Sequence, residues 1–218
     1  STSCAFFSAY HASTVFATRR AHFSARAGKT EKNVWGNGMA YFWYFLFYSF
    51  LGYLLEKLFA RMTHAQRQVR KCFLLLPLCP VYGLALCALL LTGAERVQSL
   101  ALLLLRGAVV PTAVEYVVHW GYEALLGVKF WDYTHTRLNV NGRICLPFSL
   151  AWGTLSAAAV RLVQPTLRTI AAALPDAWAG AALLLLAFDA ALTVRVLRSY
   201  HDTELLSLRA LRRRRQIT

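Results

Sequence analysis

Three ionisable residues spaced four apart, Glu115, His119 and Glu123, draw attention first. On a helix, residues four apart lie one above the other, so this trio forms a single slowly drifting stripe. A carboxylate–imidazole–carboxylate stripe has the donor types to bind a divalent metal ion or to relay protons. Ser49, Gly52 and Glu56 are spaced three and four apart, so they share a small, polar helix face. Tyr82 follows a Cys79-Pro80 pair, and prolines in such a stretch free carbonyls that need partners. Asp132, Asn139 and Asn141 belong to a polar segment that ends at Cys145, and Asp189 stands alone in an apolar run. A Cys145 or Cys79 thiol with His119 or a carboxylate as its base would be the makings of a nucleophile. The other chemistries open to this set are a ligand or ion path and a plain hydrogen-bond network.

The elements that must position these residues are apolar. The chain has 218 residues, 57% hydrophobic and 16% charged. A usual soluble domain carries ~25% charged residues. The charges fall in short clusters between long uncharged stretches, because a charge at mid-membrane costs at least ~2.5 kcal/mol. The expected class is all-α: a polytopic membrane bundle of about five transmembrane helices. The spans read as 40–59, 72–94, 100 to about 126, 144–160 and 177–194. The second is interrupted by Pro77 and Pro80, and is expected to be kinked or partly re-entrant. Arg106, nine residues from Glu115, faces the other way along the third span and reaches for the nearer surface.

Net charge is +14. Nucleic-acid binding is excluded as the reading, because the basic residues sit between apolar spans, where they set topology and meet anionic lipid. With the N-terminus outside and the C-terminus inside, Lys57, Arg61, Arg67, Arg70, Lys71, Lys129, Arg137, Arg143 and the arginine-rich tail lie inside; Arg96, Arg161 and Arg168 lie outside. Under this arrangement Glu56, Tyr82, Glu115, His119, Glu123 and Asp189 all approach the inner half of the bundle. Three domains follow: a tail over 1–38, a transmembrane domain over 39–200 and a basic tail over 201–218. Residues 1–38 are rich in Ser, Ala and Arg and read as sequence upstream of a start at Met39. Their Gly28-Lys29-Thr30 triplet has Phe23 where a phosphate loop needs glycine. Residues 204–215 read as a short basic amphipathic helix that anchors on lipid.

Several motifs together carry a resemblance. They are Tyr48-Ser49-Phe50-Leu51-Gly52-Tyr53-Leu54-Leu55-Glu56, Leu76-Pro77-Leu78-Cys79-Pro80-Val81-Tyr82-Gly83, Glu115-Tyr116, Trp131-Asp132-Tyr133, Asn139-Val140-Asn141-Gly142-Arg143-Ile144-Cys145-Leu146 and Trp152-Gly153. In order and spacing, over roughly residues 40–200, this string resembles the ABC-transporter type IV (CmpB-like) permease family of bacterial membrane proteins. His119 departs from the resemblance, which has a small residue there more often, and Leu76 stands where a Gly or Asn is usual. The resemblance implies a multi-pass protein of the bacterial inner membrane. With the convergence of polar residues it makes the leading expectation a permease subunit that moves or binds a small substrate; the chain has no phosphate loop, so any ATP drive must come from a partner, and neither enzymatic activity nor a cofactor is expected. The expected partners are membrane lipids, a separate ATPase subunit and further copies of the chain. Two other functions compete: a non-transporting accessory or lipid-interacting protein, and an intramembrane cysteine-dependent enzyme.

Overall fold

The computed structural model describes residues 38–63 and 72–200. The chain forms two units, Ser1–Ala40 and Tyr41–Thr218, and apart from residues 38–40 everything described below belongs to the second. The expected tail over 1–38 apart from Gly38, the inner loop around 64–71 and the amphipathic helix at 204–215 lie outside the described residues.

The structure is helical, as expected. Helix α1 is Gly38–Met62, α2 is Pro80–Leu91, and α3 is Leu100–Leu126. Helix α4 (Leu146–Ala158) runs through a π turn (Ala159–Val163) into α5 (Gln164–Ala173). Helix α6 is Asp176–Tyr200. Strands β1 (Asn139–Val140) and β2 (Ile144–Cys145) form a small hairpin before α4. Four rods, Gly38–Met62, Leu100–Leu126, Leu146–Ala173 and Ala177–Ser199, are long and apolar enough to cross a membrane. Their outward faces carry Leu105, Leu125, Leu162, Leu184 and Phe188, each more than 60% exposed. In water such a surface would be a liability; in lipid it is the solvated face.

Two spans differ from expectation. The second stretch is helical over only 12 residues, about 18 Å at 1.5 Å per residue, against a hydrocarbon core of ~30 Å. Residues 72–79 ahead of it are irregular, because Pro77 and Pro80 deny the helix its amides. Irregular backbone at membrane depth survives only where protein satisfies it. Here the Cys79 amide donates to the Ser49 carbonyl of α1 (2.8 Å), and the Leu76 amide donates to the Asp189 carboxylate of α6 (3.1 Å). The fourth span continues past Val160 to Ala173, so Arg161 and Arg168 lie on a helix rather than in a loop. Both reach the loop before α3: Arg161 donates to the Val97 and Gln98 carbonyls (3.0 and 2.7 Å), and Arg168 pairs with Glu95. Arg106 reaches the same end, donating to the Thr92 carbonyl at 3.3 Å.

Proline recurs inside α3, and the same rule accounts for its neighbourhood. Pro111 has no N–H for the carbonyl of Gly107, one turn earlier. Ser156 on α4 donates its hydroxyl to that carbonyl at 3.4 Å. The seam there is built of small residues, with the Gly153 backbone against Gly107, which lets the two helices approach closely.

Asp189 is 6% exposed and holds the irregular stretch from across the bundle. Asp189→Ala withdraws that acceptor and is expected to lower stability by about 1–3 kcal/mol. Asp189→Asn, which keeps a carbonyl oxygen, should recover most of the loss. Thermal unfolding in detergent checks both.

Candidate functional site

The site is built around one buried carboxylate. Glu115 on α3 is 6% exposed. One of its oxygens accepts the Tyr133 hydroxyl (3.1 Å) and the other accepts the Trp152 indole N–H (2.9 Å). Tyr133 comes from the loop before the hairpin, Trp152 from the second turn of α4. Three separate pieces of chain therefore meet on one side chain. Tyr133 stays a donor, since burial first and the Glu115 charge second push its hydroxyl well above the ordinary tyrosine value.

A second carboxylate stands nearby. Glu56, near the end of α1, accepts the Tyr82 hydroxyl of α2 at 2.8 Å. The Tyr82 ring packs 4.9 Å from that of Trp152, so the two carboxylates are joined through one aromatic pair. Gly52 makes this possible. A Cβ there would sit 2.3 Å from Cγ of Tyr82, closer than atoms can approach. The glycine is therefore the slot in α1 that receives the tyrosine ring.

These residues surround a cavity of about 470 Å³. Leu55, Glu56 and Phe59 of α1 form one wall. Tyr82, Glu115, Trp131 and Tyr133 line it as well, with Phe148, Ala151, Trp152, Thr154 and Leu155 of α4. Phe148 stacks on Tyr133 with centroids 4.9 Å apart and meets Phe59 edge-on at 6.3 Å.

The remaining sequence candidates have other tasks. His119 is buried, and its Nε2–H donates to the Trp131 carbonyl at 2.9 Å; the carbonyl can only accept, which fixes the donor. Its Nδ1 faces Glu123 at 3.8 Å. Glu123 in turn accepts two bonds from Arg143 (3.1 and 2.9 Å) and lies 3.3 Å from Lys129. Hydrogen bonding to Glu123 raises the Arg143 guanidinium above its ordinary value. The same guanidinium donates to Tyr116 (2.9 Å), whose hydroxyl also takes the Asn141 amide (2.9 Å). The stripe thus divides: Glu115 faces the cavity, and His119 and Glu123 hold the loop and hairpin onto α3. Among the described residues, no group of three His, Cys, Asp or Glu is placed to hold a metal ion.

Asp132, Asn139 and Asn141 build turns. Asp132 accepts the Thr134 amide at 2.9 Å, and that bond holds its carboxyl below the usual value. Asn139 accepts the Gly142 amide (3.0 Å) and donates to the Thr136 carbonyl (2.8 Å). Asn141 and Gly142 have φ of 54° and 68°, and the Arg143 amide closes on the Val140 carbonyl at 3.1 Å. Positive φ at both central residues is the type I′ habit, for which Asn-Gly is the preferred pair. Cys145 is buried where α4 begins, and among the described residues neither it nor Cys72, Cys79 or Cys87 forms a disulfide. His119 is committed to the Trp131 carbonyl rather than to Cys145. Asp189 lines no part of the cavity; it serves the Leu76 amide.

Sequence reasoning passed over Tyr133 and Trp152 as site residues. The signal was present, since both lie in motifs that pair an aromatic with a turn or a glycine.

A family model described as "Putative ABC-transporter type IV" matches residues 43–194, more than half of the chain. The chain belongs to this family. The match runs from α1 into α6 and takes in every residue of the cavity wall. No curated protein and no solved structure matches the chain. An ABC-transporter type IV protein with this cavity is a multi-pass membrane protein whose polar residues gather between its helices rather than on its lipid face.

The fit of Tyr82 against Gly52 is directly testable. Gly52→Ala must move the tyrosine ring, and such overpacking costs about 1–3 kcal/mol. The melting temperature should fall accordingly, and Tyr82→Ser in the same chain should restore part of it. A melting temperature unchanged by Gly52→Ala would mean the two helices do not meet as described.

Proposed function

We propose that this chain is the membrane-spanning subunit of a transporter, that it binds a small substrate in the cavity between α1 and α4, and that a separate ATPase subunit supplies the energy. The observation that carries this reading is the cavity itself. It has the volume of a ligand site, mostly apolar walls and a few convergent polar groups. Family membership supports the transport assignment. The carboxylates are positioned by aromatic donors rather than activated by a neighbouring base, which favours binding over catalysis. The protein is accordingly read as a non-enzymatic subunit with no cofactor.

Charge sets the proposed orientation. Lys129, Arg137 and Arg143 lie together near the hairpin, and the positive-inside bias puts that end, and the C-terminus, on the cytoplasmic side of a bacterial inner membrane. The hairpin is then the surface offered to an ATPase. It is rigidly referred to the cavity, because Tyr133 and Arg143 of one loop segment hold Glu115 and Glu123 of α3. Lipids, and further copies of the chain, are the other partners in this reading.

Purification of the full chain from its host in a mild detergent tests it, with mass spectrometry of what co-purifies. The expected result is an ATPase in stoichiometric amount, lost when Arg143→Ala loosens the hairpin. The protein recovered alone or with lipid only, in both forms, would overturn the transporter reading in favour of an accessory role.

A further inference from the structure

The polar groups on the cavity wall are already bonded within the protein. Tyr133 and Trp152 donate to Glu115, and Tyr82 donates to Glu56. The Trp131 indole N–H donates to the Arg143 carbonyl at 2.9 Å. The Thr154 hydroxyl donates to the Ala151 carbonyl of its own helix, also at 2.9 Å. The rest of the wall is carbon, from Leu55, Phe59, Phe148, Ala151 and Leu155.

A strongly polar guest would give up its hydration here for few partners not already engaged. Water meets the same difficulty, since a buried water needs about two to four polar partners. A hydrocarbon chain gives up no hydrogen bond. It also supplies the dispersion contacts that the lining of an empty space forfeits.

The mouth faces the same material. Its rim is formed by Phe59 on α1, 45% exposed, and by the exposed Ala151 and Thr154 on α4. All three belong to membrane-spanning rods, about 5–12 Å in from the rod ends at 1.5 Å per residue. Those rods, of 25 and 28 residues, are longer than the ~30 Å hydrocarbon core. The mouth therefore opens on the side of the bundle, where the chains of one leaflet begin. It is the leaflet on the hairpin side, because β2 ends at Cys145 and α4 starts at Leu146.

We infer that the cavity takes one acyl chain of a bilayer lipid, which enters sideways between α1 and α4 from the leaflet on the hairpin side and lies against Leu55, Phe59, Phe148 and Leu155. Naming that lipid as the substrate rests on the reading of the cavity as a substrate site. Its place in the cavity does not.

The test places the full chain in nanodiscs of phosphatidylglycerol, doped with a phosphatidylglycerol that carries a diazirine in mid-chain. Light attaches that chain to whatever it touches, and mass spectrometry of peptides locates the adducts. Glu115, Trp131, Tyr133 and Trp152 line the cavity and are only 6–8% exposed, out of reach of lipid at the outer surface. Leu184 and Phe188 on α6, 75% and 69% exposed, report that surface lipid. Adducts are expected in both sets. Ala151→Phe, which narrows the mouth, should lower the yield at the cavity set several-fold and leave the α6 set unchanged. A thermal melt accompanies the variant, and the adduct positions on the unmodified chain stand even where the variant folds poorly. Adducts confined to exposed faces overturn the inference. Adducts in the cavity that a folded Ala151→Phe chain does not reduce overturn the entry between α1 and α4. Neither result touches the transport reading, which the co-purification of an ATPase decides independently.

Discussion

Everything near the cavity depends on Glu115 having its two oxygens taken by groups from different parts of the chain. A carboxylate at this depth is expensive unless its hydrogen bonds are made for it. The Tyr133 hydroxyl and the Trp152 indole make them, and in doing so tie the loop before the hairpin, the middle of α3 and the start of α4 to one point. Trp152 then supports Tyr82, and Tyr82 supports Glu56. The chain of contacts leaves a hollow beside it because rings held by hydrogen bonds at their edges cannot collapse to fill the space.

The same constraint governs the rest of the bundle. Wherever proline or an irregular turn takes a backbone partner away, a side chain or carbonyl from another helix replaces it. Ser156 serves the carbonyl released by Pro111, Asp189 serves the Leu76 amide, and the Ser49 carbonyl serves Cys79. In water such groups could be left to solvent. At membrane depth they cannot, so the prolines that shorten α2 also dictate which helices must touch it. On the polar side of the molecule, Arg143 does a similar service for the hairpin, bridging Glu123 and Tyr116.

Much of this was legible in the residues. Uncharged runs marked the rods, the four-residue spacing put Glu115, His119 and Glu123 on one stripe, and Asn141-Gly142 marked the tight turn. What a one-dimensional reading could not supply was the direction of each polar side chain. Glu115 and Glu123 share a stripe, yet one faces a cavity and the other a guanidinium, because α3 passes from the bundle interior to the hairpin over those two turns. Asp189 has the same apolar surroundings in sequence as a transport carboxylate would, and only the position of the Leu76 amide, more than a hundred residues away, shows its task. The length of α2 escaped as well, since the apolar run from 72 to 94 is equally compatible with a long kinked helix and with a short one after an irregular approach. The fourth rod runs on to Ala173, and Arg161 and Arg168, read as loop charges, sit on it with their side chains on the loop at 95–98.

The coupling of Tyr133 and Trp152 through Glu115 is the central claim, and a double-mutant cycle on unfolding measures it most directly. Tyr133→Phe and Trp152→Phe, singly and together, would be compared in the native chain and in Glu115→Leu. If both residues hold one carboxylate, each single change costs about 1–3 kcal/mol. The pair should then depart from additivity by more than ~0.5 kcal/mol, and that departure should vanish when Glu115 is replaced. Strict additivity in the native chain, or a coupling that persists without Glu115, would show that the loop and α4 are not joined there, and the cavity would lose its organising residue.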